Sequence, residues 1–165
     1  MPCAEDEIEL VTVGAENPEA VSIFLRLGKD YLGSLPPEEA DRLMQSMLER
    51  QIERDRWLLL LKFYDRHLGF VHMKIDKHER TGWGFILEFY IISDERRKKW
   101  GTRLYRKCEG ILRKRGVKDI WLLTNPEAKP FWQSLGYMET GEMDKETGQE
   151  TMEKHLETSE SQSGF

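Results

Sequence analysis

Residues 83–124 read "WGFILEFYIISDERRKKWGTRLYRKCEGILRKRGVKDIWLLT", and the succession of patterns in this stretch decides the fold. "WGFILEFYII" (83–92) is apolar on both faces apart from Glu88, as a strand central to a sheet is. A basic cluster follows, in which Arg96, Arg97, Lys98, Lys99, Arg103, Arg106 and Lys107 face only Asp94 and Glu95. Leu104, Cys108, Ile111 and Leu112 then recur at helical spacing, and Gly116 stops the helix. "VKDIWLLT" (117–124) is a further buried strand. The basic cluster therefore lies where a buried strand turns into a helix. There the first amides of the helix lack partners and carry the positive end of its dipole, which suits a phosphate. Gly101, with no Cβ, leaves the backbone approachable, and Thr102 adds a hydroxyl donor.

Working back toward the N-terminus, "IELVTV" (8–13) alternates and reads as a first strand. Asn17-Pro18 supplies an N-cap and a proline at the first helical position, with Ala20, Val21, Phe24 and Leu27 as the apolar stripe. Gly28 or Gly33 can end that helix. A second helix starts after Pro36-Pro37, with a stripe of Leu43, Met44, Met47, Leu48 and Ile52. "RWLLLLKFY" and "HLGFVHMKI" form an antiparallel hairpin turning at Asp65-Arg66, and residues 76–82 are a polar loop. Toward the C-terminus, Asn125 to Gly136 holds a short helix starting near Pro130, and residues 136–156 supply two closing strands around "DKETG". The expected architecture is α+β: a mixed, mostly antiparallel twisted sheet of about six or seven strands flanked by about four helices. Residues 1–156 form a single domain in this reading, and the polar stretch 157–165 is a disordered tail.

The formal net charge is −5, but the signs are segregated. Between Arg96 and Arg115 there are ten basic residues and one acid, Glu109, a local +9; the rest carries 15 basic and 29 acidic residues, or −14. A nucleic-acid binder is usually basic overall, so this pattern is that of one anion-sized site on an acidic surface, the competing reading being a solvated helix face. The two cysteines, Cys3 and Cys108, make neither a disulfide framework nor a metal pattern, and His67, His78 and His155 have no metal-like spacing. The acidic N-terminus is unlike a secretory signal, and no apolar run is long enough to cross a membrane, so a cytoplasmic location is expected.

The stretch from Phe89 to Tyr137 resembles the core of the GNAT superfamily of acyl-CoA-dependent N-acyltransferases. That family's phosphate loop, R/Q-x-x-G-x-G/A, falls on Arg96, Arg97, Lys98, Lys99, Trp100 and Gly101, with the second glycine matched and the first replaced by Lys99. "NPEAKPFWQSLGY" resembles the family's N-x-x-A-x-x-F-Y-x-x-L-G-F/Y segment, with Asn125, Ala128, Phe131, Leu135, Gly136 and Tyr137 in register. The order of elements agrees with the family through about Leu156. The resemblance implies the acyl-CoA N-acyltransferase fold and an acetyl-CoA or coenzyme A site. In it, the backbone of Tyr90, Ile91 and Ile92 pairs with the pantetheine arm. The loop Arg96, Arg97, Lys98, Lys99, Trp100, Gly101 and Thr102 holds the pyrophosphate, with Asn125 and Trp132 completing the cofactor contacts.

The implied reaction is transfer of an acyl group, usually acetyl, from the thioester to a primary amine of a small molecule or a protein. Outside the basic stripe the acidic surface favours a cationic amine. An amine must lose its proton to attack, so a base is needed. Glu88, the one ionisable residue in the apolar strand, is the candidate, against the plainer reading of a carboxylate paired with a cation. Many family members place a tyrosine where this chain has Trp132, whose indole is no acid near neutral pH; either another group such as Tyr90 or Tyr137 takes that part, or solvent protonates the leaving thiolate. His72 alternates with Val71 and Met73 and either faces a substrate groove or is structural. Tyr31 sits where the family often builds its acceptor site. The alternative to an enzyme is a catalytically silent acyl-CoA-binding regulatory domain, as a monomer or homodimer in either case, with no metal, membrane or nucleic-acid partner.

Overall fold

Asn17 starts the first helix as its sequence dictates. In the computed structural model, which describes residues 7–93 and 99–157, the Ala20 N–H donates to Asn17 Oδ1 at 3.2 Å and Pro18 opens the helix. The elements run β1 (Ile8–Thr12), α1 (Pro18–Tyr31), α2 (Pro37–Glu49), β2 (Arg56–Phe63), β3 (Arg66–Ile75) and β4 (Gly84–Ile91). They continue with α3 (Trp100–Lys114), β5 (Asp119–Thr124), α4 (Lys129–Ser134), β6 (Met138–Met143) and β7 (Glu150–His155). The seven strands form one sheet in the order β1-β2-β3-β4-β5-β7-β6. β1 pairs antiparallel with β2, and β7 antiparallel with both β5 and β6. The parallel pair joins β4 to β5, with Gly84, Phe85 and Ile86 opposite Ile120, Trp121 and Leu122. A mixed, mostly antiparallel sheet with four helices is thus what the patterns predict and what forms. None of the described helices is long and apolar enough to cross a membrane.

The described residues fall into two compact units, one within Met1–Met73 and Glu88–Tyr105, the other within Lys74–Leu87 and Arg106–Phe165. The first has its own core, in which Val13, Phe24, Leu27, Met44, Met47, Leu58, Leu60, Phe70 and Tyr90 are buried together. Phe24 meets Phe70 edge-on at 5.2 Å, a pairing worth about 1 kcal/mol beyond the area that it buries. In the second, Cys108, Leu112, Ile120, Leu122 and Met152 are buried. There the polar loop after β3 is tied by Asp76, whose carboxylate accepts from the N–H groups of His78, Glu79 and Arg80 at 3.0, 3.4 and 2.9 Å. Burial pushes the Asp76 carboxyl up, and these three donors outweigh it and leave it below the usual range.

Three local expectations are corrected. Of the two glycines expected to end α1, Gly33 follows the C-cap Leu32, whereas Gly28 lies inside the helix, where a Cβ would come 2.4 Å from Met44 Sδ, so this glycine lets α2 close on α1. The buried face of α2 is Ala40, Met44 and Met47, whereas Leu43 is 43% exposed and Ile52 is 93% exposed. Leu43 is one position off the i, i+4, i+7 face, and Ile52 falls beyond α2 in a 3-10 turn where the helical period no longer applies. The β2–β3 hairpin turns one residue early, at Tyr64-Asp65, with Tyr64 at φ +55° and Arg66 already in β3. The expected tail lies outside the described residues but for Glu157.

Candidate active site

Alternation along a strand puts residues i and i+2 on one face. Arg56 and Leu58 of β2, Phe70 and His72 of β3, and Glu88 and Tyr90 of β4 are such pairs. Leu58, Phe70 and Tyr90 belong to the apolar core of the first unit, and the three polar residues form a connected row beside it. His72 Nδ1 lies 2.5 Å from Glu88 Oε2. Arg56 Nη1 donates to His72 Nε2 at 2.8 Å, and Arg56 Nε donates to Glu53 Oε2 at 2.8 Å. His72 and Arg56 are buried, while the Glu88 side chain keeps 23% of its surface exposed. The carboxylate in the apolar strand is therefore partly exposed and, among the described residues, paired with His72 and not with an Arg or Lys.

Tyr31, at the last turn of α1, closes the other side. Its ring packs edge-on against Phe70 and tilted against Tyr90, both at 5.5 Å. Burial first, and the negative charge of Glu88 second, push the Tyr31 phenol upward, so it stays protonated and can donate. The row thus gathers Glu88, Tyr90, His72 and Tyr31, all noticed in the sequence. It adds Arg56 and Glu53, which were not; their one signal is a charge opening the otherwise apolar run "RWLLLL".

At the end of β4 the backbone has a defined facing. The Ile92 N–H donates to Leu68 O at 2.9 Å, and Tyr90 O lies against Gly69 of β3. Backbone groups of successive residues in a strand point to opposite sides, so those of Ile91 face away from β3.

Arg96, Arg97 and Lys98 lie outside the described residues. Beyond them, Lys99 has φ +66°, and its carbonyl accepts the first α-helical bond, from Arg103 N–H at 3.1 Å. This is the left-handed region, disfavoured for a residue with a Cβ by about 1–2 kcal/mol. The residue that departs from the resemblance thus occupies a backbone state that glycine adopts freely. Trp100 is buried with its ring 4.7 Å from Phe63 and the Arg103 guanidinium 4.9 Å from its centroid, which anchors the start of α3 within the first unit. Gly101 and Thr102 are half-buried in its first turn. Lys99→Gly is expected to raise Tm by about 2 °C, because relief of the left-handed strain slightly exceeds the added entropy of the unfolded chain. Lys99→Ala keeps the Cβ and is expected to give no rise; equal melting curves for the two variants would remove the backbone explanation.

In the second unit Asn125 Oδ1 accepts from Ala128 N–H at 2.9 Å, tying the turn before α4 and leaving its Nδ2 as a donor. Trp132 and Tyr137 are buried and meet edge-on at 5.4 Å, so the Trp132 indole is part of that unit's packing. Cys108 is buried, which pushes its thiol far up and keeps it inert. No group of three potential metal ligands occurs among the described residues.

The pattern of the Acetyltransferase (GNAT) family matches residues 21–137. Several solved structures share the fold. A PaiA N-acetyltransferase from Thermoplasma acidophilum, in complex with coenzyme A, is 19% identical over 90% of this chain and 99% of its own, with a TM-score of 0.68. An acetyltransferase from Thermus thermophilus is 20% identical over 90% of this chain and 97% of its own, with a TM-score of 0.69. An aminoglycoside 6'-N-acetyltransferase complexed with coenzyme A is 16% identical over 89% of this chain and 96% of its own, with a TM-score of 0.70. No protein of curated function matches at the sequence level. With the family pattern covering more than half of its length, the chain belongs to the GNAT family of acetyltransferases.

Proposed function

We propose that the chain is an N-acetyltransferase that moves acetyl from acetyl-CoA to a primary amine, with Glu88 taking the proton of the amine. The observation that carries this reading is the Glu88 carboxylate, held on one oxygen by His72, still partly exposed, and close enough to the Tyr31 ring for its charge to act on the phenol. A carboxylate beside aromatic rings suits an ammonium group. An alkylamine with a pKa of about 10.4 is neutral in only about one molecule in 2,500 at pH 7, so a carboxylate that accepts its proton raises the reactive fraction.

Acetyl-CoA, when bound, supplies the acetyl thioester. The chain's own residues do the rest. A backbone N–H of β4 is the candidate donor to the acetyl carbonyl as negative charge grows there. Tyr31, kept protonated, and Tyr90, whose ring packs on it, can supply hydroxyl donors. Lys99, Gly101 and Thr102, with Arg96, Arg97 and Lys98, bind the pyrophosphate at the start of α3. What supports that assignment is the left-handed turn at Lys99 leading into the first turn of α3, where a helix start suits a phosphate. For Tyr90 and Ile91 as pantetheine partners, for Trp100, and for Asn125 and Trp132, the family pattern is the support, whereas the Ile92 N–H is already taken by Leu68 O.

The test is the purified chain with acetyl-CoA and an amine panel: a linear diamine, an aminoglycoside, a lysine peptide and a peptide with a free α-amino group. Amine-dependent release of free thiol is expected. Calorimetric binding of acetyl-CoA with no thiol release on any amine would instead support a silent binding domain, and no binding would remove both readings.

A further inference from the structure

This inference rests on Glu88 as the proton acceptor and concerns what holds it. A guanidinium carries only N–H groups, so His72 Nε2, 2.8 Å from Arg56 Nη1, must present its lone pair. The ring proton of the neutral imidazole is then on Nδ1, and Nδ1–H donates to Glu88 Oε2 at 2.5 Å. Protonating Nε2 would set one N–H against another and break the Arg56 bond. Arg56 is itself fixed by Glu53 at 2.8 Å, so the row is ordered from its exposed end inward. Among the described residues no hydrogen bond or ion pair is made to Glu88 Oε1.

We propose that Arg56 and His72 are positioning residues. Arg56 selects the His72 tautomer, and His72 in that tautomer clamps Oε2 so that Oε1 alone meets the amine. Among the described residues the charged and titratable groups around the pair are Arg56 of β2, Glu53 just before it, Tyr31 of α1 and Tyr90 of β4. A buried imidazole would ordinarily be read as a proton carrier. Here it holds the base, because both of its nitrogens are committed.

Two measurements test this. In the wild-type chain, the heteronuclear spectrum of the imidazole nitrogens is expected to show His72 protonated on Nδ1 and bare on Nε2. In Arg56→Met the two tautomers are expected to mix. In the thiol-release assay, with the best amine of the panel, His72→Leu is expected to lower kcat about 30-fold with acetyl-CoA affinity kept within about twofold. His72→Asn, whose Nδ2 can reach where Nδ1 does, is expected to recover most of that loss. A wild-type ring protonated on Nε2 overturns the proposal even if no variant folds. So does His72→Leu with wild-type kcat beside an impaired Glu88→Gln, and Glu88 then stays the base without a clamp. If Glu88→Gln is itself unimpaired, the function reading beneath the proposal fails instead.

Discussion

In the Gly69→Ala variant the chain is expected to lose about 3 kcal/mol of stability, the upper end of the cost of overpacking. A Cβ at position 69 would stand 2.0 Å from Tyr90 O and 3.1 Å from Ile91 Cα. Both are backbone atoms, so no side chain can swing aside; β4 must move, or β3 must. For a chain of this length the loss corresponds to a fall in Tm of about 6–12 °C. A denaturant melt should show the midpoint falling with the slope unchanged. The same displacement reaches Glu88, two residues before Tyr90, so thiol release should fall with stability. A variant melting within about 2 °C of the wild type would mean that β3 and β4 are not held this closely at Gly69.

Glu88→Gln is expected to lower kcat by about 10²–10³ at pH 7, within the usual contribution of general base catalysis. Glutamine is the sharp choice because its carbonyl oxygen can still accept from His72 Nδ1–H, so the row at Arg56 and His72 keeps its bonds. What is lost is the ability to take a proton. In the variant, attack depends on amine that has lost its proton to solvent, a fraction that rises about tenfold per pH unit below a pKa of about 10.4. The defect should therefore shrink as pH rises, while acetyl-CoA binding by calorimetry stays as in the wild type. A uniform defect at every pH would point to electrostatic or steric loss in place of a base, and an unchanged rate would take Glu88 out of the chemistry.

The elements with strong periodicity were legible because local pattern and tertiary burial agree. Asn17-Pro18 opens α1, Pro36-Pro37 opens α2 and "WGFILEFYII" becomes β4. The misreadings occur where a residue answers to a neighbour distant in sequence. Gly28 reads as a stop, yet it is glycine because Met44 of another helix presses on it. Glu88 was legible as a carboxylate out of place. His72 was noticed but not joined to it, because the pairing of β3 with β4 depends on a register that no single strand encodes. Arg56 was silent for the same reason, one strand further away. Lys99 looked like a departure from the family pattern. Its φ of +66° shows instead that the chain keeps the conformation and forgoes the residue suited to it.

The first unit takes its strands from both sides of Lys74–Leu87, with β3 made before β4 and adjacent to it in the sheet. During synthesis, β3 is complete 16 residues ahead of the strand that covers its second edge, an interval of about one to three seconds at ordinary elongation rates. Its residues Leu68–Met73 are buried in the finished protein, so for that interval the nascent chain carries an apolar strand with an open edge. Gly69 lies within that edge: the residue that admits β4 so closely offers no side chain to keep a stranger's strand away.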